Sequence, residues 1–146
     1  MSSHAAPIRL SASKGTSKVA RAVPVLAGLL TVVILSTVTD QVLHVLEVYP
    51  PWGQPMYDSG LLLLALFYRI VYTVAGSYIT ATFAPYSPMR HAWALGVIGL
   101  IAGTAGAIAT IPMHLGPAWY AIAIAVTALP CAWLGGVLYR VRHPDR

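Results

Sequence analysis

Arg69 is the residue in this sequence with the most chemistry to account for. It lies inside an otherwise uncharged apolar run from about Ser59 to Ala84, with ten residues of that run before it and fifteen after. Neither flank alone is long enough to cross a hydrocarbon core of ~30 Å, so as a helix this run carries Arg69 ~15 Å from its start, within the bilayer. A guanidinium there costs at least ~2.5–3.5 kcal/mol and must face protein, water or a counter-ion. The preceding apolar run, from about Ala22 to Tyr49, supplies a candidate. At 100° per residue its Ser36, Asp40, His44 and Glu47 fall within an arc of about 80°, a single polar stripe. With that helix ending near Tyr49, Asp40 sits ~13 Å from the same end, close to the depth of Arg69.

Two chemistries follow from that placement. An Asp40–Arg69 pair fixes the register of two neighbouring helices. Alternatively, with His44 and Glu47, it lines a polar crevice for a proton, an ion or a small solute. On the second helix Tyr72, Thr73, Gly76 and Thr80 share the face of Arg69, so hydroxyls are placed for the guanidinium or for nearby carbonyls. His44, Glu47, Asp58 and His114 can all reach one end of the chain's spans. No HExxH pattern and no His pair at i,i+4 accompanies them, so no metal site is expected. The sequence shows no nucleophile–base pair, no cofactor motif and no defensible haem-type His pairing, so neither an enzyme nor a bound cofactor is expected. Cys131 stands alone in an apolar stretch and reads as a small buried hydrophobe.

The elements that must hold these residues are membrane spans. Apolar residues make up 58% of the 146 and charged residues only 9%, too few to cover the surface of a water-soluble domain. Four apolar runs, at about 22–49, 59–84, 92–111 and 118–139, alternate with Pro-rich loops. They are twice the length that a membrane strand needs and do not alternate in polarity, which excludes a β-barrel. The expectation is an all-α, integral-membrane four-helix bundle, antiparallel up-down-up-down. Residues 1–21 read as a disordered tail in preference to a cleaved leader, and residues 141–146 as a second tail. Of nine Lys and Arg, eight lie in the N-terminal tail, the 85–91 turn and the C-terminus from Arg140 onward, and none in the other two loops. The positive-inside rule then puts both termini on the cytoplasmic side. The same clustering explains the net charge of +5 without a nucleic-acid partner.

The third run carries a packing signal. Gly96, Gly99, Gly103 and Gly106 recur at steps of three, four and three on one face, a groove that lets another helix approach closely. Its occupant is a helix of the same bundle, a second copy of the chain or another membrane partner. Pro130 interrupts the fourth run and is expected to kink it. Trp52, Tyr49 and the Trp119–Tyr120 pair suit an interface.

The segments TDQVLH, YPPWGQPM, YRIVYTVAGSY and APYSPMRHAWALGVIGL resemble a family of small, uncharacterised four-span bacterial inner-membrane proteins. The resemblance covers most of residues 37–136. It implies bacterial origin, a place in the cytoplasmic membrane and a single four-helix unit, and it carries no activity or site residue. The first functional expectation is a non-enzymatic packing or assembly component. The second is a small transporter or channel subunit that uses the Asp40/Arg69 cluster.

Overall fold

The computed structural model describes residues 15–144, with side chains from Val19 onward. Four α-helices account for most of them: α1 (Gly15–Val45), α2 (Ser59–Phe83), α3 (Pro88–Thr110) and α4 (Ala118–Arg142). Each is long and apolar enough to cross a membrane, and no strand occurs among the described residues. This is a multi-pass membrane protein built as a helix bundle.

Local chemistry sets the ends. The Asp58 side chain accepts from the Leu61 amide at 2.9 Å and caps α2. Ala84 is pushed to extended backbone by Pro85 and ends that helix. Pro88 occupies the first turn of α3, where its missing N–H costs nothing. Arg90 and His91, read from the sequence as part of a turn, therefore belong to the first turn of α3. A 3-10 turn, Ile111–Met113, closes that helix at Pro112.

The two tails are shorter than expected. Residues 15–21 continue α1 by about two turns, since Lys18, Ala20 and Arg21 favour helix and no proline lies between Gly15 and Val23. α4 likewise runs on to Arg142. The rest of the expected tails, residues 1–14 and 145–146, lies outside the described residues. At its other end α1 stops at Val45, one turn short of Tyr49. Glu47 turns left-handed (φ 58°), and the amides of Val48 and Tyr49 both return to the Leu43 carbonyl. The chain then folds under the helix, and Tyr49 is buried beside Ala65 and Tyr68.

The helices run alternately up and down. At one end Arg21 lies 5.6 Å from the Tyr86 ring centroid, and Tyr78 packs against Tyr139 at 5.8 Å. At the opposite end the Met56 amide donates to the Leu115 carbonyl, and the Tyr57 hydroxyl to that of His114. Around the bundle the order is α1, α2, α4, α3. α4 packs closely on both α2 and α3, whereas α1 rests on α2 and meets α3 over a smaller area.

Small residues make these contacts possible. A Cβ on Gly96 would come within 2.8 Å of the Ala132 Cβ, one on Gly99 within 3.2 Å of the Ala128 Cβ, and one on Gly103 within 2.9 Å of the Ala125 Cα. The glycine stripe of α3 thus faces an alanine stripe of α4 in the same chain. Gly106, the fourth of the set, has open space where its Cβ would be. A second close approach was not anticipated: Gly28 of α1 faces Gly76 of α2, and a Cβ on Gly76 would meet the Gly28 carbonyl oxygen at 2.7 Å. Between α2 and α4, the Ser77 hydroxyl donates to the Ala132 carbonyl at 2.6 Å. Pro130 lies inside a continuous α4.

These contacts separate the glycines by consequence. Gly103→Leu overpacks the α3–α4 seam and should lower stability by ~1–3 kcal/mol, whereas Gly106→Leu should leave it nearly unchanged. Thermal unfolding of the two variants in detergent checks this, and equal losses would contradict the packing described.

Candidate functional site

Asp40 and Arg69 meet. The Arg69 guanidinium donates through Nη2 to Asp40 Oδ2 at 2.5 Å. The other carboxylate oxygen, Oδ1, accepts the Tyr68 hydroxyl. Both oxygens of Asp40 are therefore engaged, which an ionised carboxylate away from water requires. The pair is not sealed, however: the Arg69 and Asp40 side chains keep 31% and 17% of their exposure. α1 and α2 are consecutive and pack as antiparallel neighbours, and the Gly28–Gly76 approach holds them close enough for the two side chains to touch.

Hydroxyls serve the helices more than the guanidinium. Tyr72 shares a hydrogen bond of 2.9 Å with Thr39 of α1, a second cross-helix tie beside the ion pair. Thr73 donates to the Arg69 carbonyl at 2.7 Å, back along its own helix. Tyr49 completes the group from beneath, its hydroxyl 3.4 Å from that of Tyr68. Burial raises the Tyr49 phenol above its ordinary value, so it remains a neutral donor near neutral pH.

His44 and Glu47 do not join this cluster. His44 Nδ1 lies 2.7 Å from the Asp40 backbone carbonyl, so the proton it donates goes to the main chain and not to the carboxylate. Its ring stacks on Trp52 with centroids 3.8 Å apart and planes 2° from parallel. Glu47 lies past the end of α1, at the left-handed turn, and is exposed. The two residues border a shallow hollow at the helix end, together with Gln41, Tyr49 and Trp52. The single polar stripe expected in the first span is therefore divided: His44, still within α1, is engaged by the Asp40 main chain and Trp52, and Glu47 lies beyond the helix end.

Among the described residues no group of three His, Cys, Asp or Glu side chains gathers as a metal site would. Asp58 caps α2, and His114 is a left-handed residue closing the 3-10 turn.

A cavity of about 400 Å³ lies on the other side of Arg69. α2 contributes Leu62 and Arg69 to it, α3 contributes Ala102, Gly103 and Gly106, and α4 contributes Tyr120 and Ile124. It extends from Arg69 to the loop residues Met56, Leu115 and Gly116 at the end away from the basic cluster. Arg69 Nε is buried and has no hydrogen-bond partner. Gly103 and Gly106 thus have separate roles: the first is a packing residue, and the second leaves room in the cavity wall.

Comparison with protein-family models, with curated proteins and with solved structures finds no match for this chain. Of the family resemblance drawn from TDQVLH, YPPWGQPM and the segments after them, what stands is the bundle of four apolar helices.

Four residues of the site were missed in the sequence: Thr39, Tyr49, Tyr68 and Tyr120. A signal existed for Tyr68, since a phenol in the middle of a span needs a hydrogen-bond partner. Tyr120 gave none, because beside Trp119 it reads as one more interfacial aromatic.

Removing one charge and leaving the other uncompensated should cost ~3 kcal/mol, whereas removing both costs less. Asp40→Leu and Arg69→Leu should therefore each destabilise more than the Asp40→Leu/Arg69→Leu double variant. Additive losses in unfolding experiments would show that the two side chains act independently.

Proposed function

We propose that this chain is a small, non-enzymatic transport or channel subunit that handles a solute at the Asp40/Arg69 cluster. One observation carries the reading. Arg69, the cationic member of the ion pair inside the bundle, lines a cavity in place of being enclosed by packed side chains. A pair that serves only to fix helix register needs no space beside it, and ionisable groups at this depth that face a cavity mark solute and proton pathways.

An assembly role, the other expectation from the sequence, now has less behind it. Gly96, Gly99 and Gly103 are occupied by α4 of the same chain and are not free to receive a partner helix. A homo-oligomer still suits the transport reading, because four helices enclose little space of their own. The lipid bilayer is the surrounding solvent for the exposed apolar faces. The location proposed is a bacterial cytoplasmic membrane with both termini inside. It rests on the Lys/Arg asymmetry of the loops and on the family resemblance.

Reconstitution into liposomes tests the function. Wild-type protein should raise the flux of protons, monovalent ions, small organic acids or small neutral carbonyl compounds above that of empty liposomes. The Asp40→Leu/Arg69→Leu variant, which leaves no uncompensated charge, should return that flux to background while still showing a cooperative unfolding transition in detergent. Protein-containing liposomes as tight as empty ones across the whole set would overturn the proposal.

A further inference from the structure

The cavity beside Arg69 limits what it can hold. Its volume, about 400 Å³, is in the range of small-molecule pockets, ~300–1,000 Å³. That is large for a bare ion, and the space opens to the outside of the bundle past the exposed Ala102, Gly106 and Thr110. Most of the wall is apolar: Leu62, Ala102, Gly103, Gly106 and Ile124 offer no side-chain hydrogen bond. A guest with several hydroxyl or amine groups would leave them unpaired there, at a cost for each.

The polar side chains of the wall are Arg69, Tyr120 and Thr110; the two hydroxyls can donate or accept, and the guanidinium can only donate. Arg69 uses Nη2 on Asp40, and its Nε is buried out of reach of a guest, so the donor open to the cavity is the exposed remainder of the guanidinium, whose side chain keeps 31% of its exposure. The nearby acceptor, Asp40, already receives Tyr68 on one oxygen and Arg69 on the other. A guest that meets the guanidinium must therefore bring an acceptor. Charge narrows the choice further. The Arg69 guanidinium is balanced by Asp40, so a carboxylate guest would leave a net negative charge away from water. A neutral carbonyl oxygen accepts from the guanidinium without that cost.

We propose that the cavity between α2, α3 and α4 binds a neutral, mostly apolar carbonyl compound, whose oxygen accepts a hydrogen bond from Arg69. This rests on the reading of the Asp40/Arg69 cluster as a solute site and names the class of solute. The apolar body of the guest lies along Gly106 and Ile124, toward the loop end of the bundle.

Three probes of nearly equal size and shape separate the possibilities: 2-acetonaphthone, 2-ethylnaphthalene and 2-naphthoate. Each is equilibrated by dialysis with protein-containing nanodiscs, and retention by empty nanodiscs is subtracted. A hydrogen bond to a charged donor should hold the ketone at least about tenfold more tightly than the hydrocarbon. Gly106→Leu fills the cavity without touching the ion pair or the α3–α4 seam, and should abolish retention of both. The Asp40→Leu/Arg69→Leu variant, which leaves no lone charge to unfold the bundle, should hold ketone and hydrocarbon alike. Equal retention of the two by wild type overturns the proposal, as does retention indifferent to Gly106→Leu or a preference for 2-naphthoate. If liposomes show flux of ions or acids that depends on the Asp40/Arg69 pair while the ketone is not retained, the carbonyl assignment alone fails. If the ketone is retained and no solute crosses, the binding site stands and the transport role fails.

Discussion

Opposite charges placed in hydrocarbon have to find each other, and the α1–α2 half of this protein is organised by that requirement. Arg69 and Asp40 are each costly in the membrane, and their contact at 2.5 Å offsets much of the cost for both. The contact holds only while α1 and α2 stay close. Gly28 against Gly76 brings the two backbones together on the basic side of the pair, and the Thr39–Tyr72 hydrogen bond ties the helices beside it. Tyr68 occupies the second carboxylate oxygen, and Tyr49 lies beneath it because α1 ends at Val45 and the chain folds back. Remove the charges and this set of polar contacts loses its reason.

The other half is held in a different way. α3 and α4 join through glycine against alanine, with no ion pair and no side-chain hydrogen bond recorded between them. Lipid gives no hydrophobic drive for such an association, so close contact of small residues has to supply it. α4 links the two halves where its Ala132 carbonyl accepts from Ser77 of α2 and its Gly135 lies against Val74 and Ser77. Where the small residues of α3 continue past the seam, at Gly106, no side chain of α4 fills the space, and the cavity opens there.

The sequence carried the coarse features in full. Runs of twenty or more mostly apolar residues separated by prolines admit few folds besides a four-span bundle, and an arginine inside one run points to an aspartate at equal depth in the run before it. It could not carry the finer ones. The end of α1 depends on Glu47 adopting a left-handed turn, a conformation that glycine or asparagine would have advertised and glutamate does not. That single residue separates Glu47 from the polar stripe and brings Tyr49 inward. Glycine periodicity showed that a helix would lie against α3, but the choice of α4 over a second copy needed the alanines at 125, 128 and 132 to be in register. The cavity is a property of three helices at once, and no one segment encodes it.

Placing the two charges on consecutive helices has a consequence for how the protein enters a membrane. Delivered singly, α1 would present a bare aspartate to lipid and α2 a bare arginine, and each would resist leaving the aqueous phase. Delivered as a hairpin, they enter with the charges already neutralised. The α1–α2 hairpin is thus the natural unit of insertion. α3 and α4, which carry no charge in their interiors, can follow and close against it.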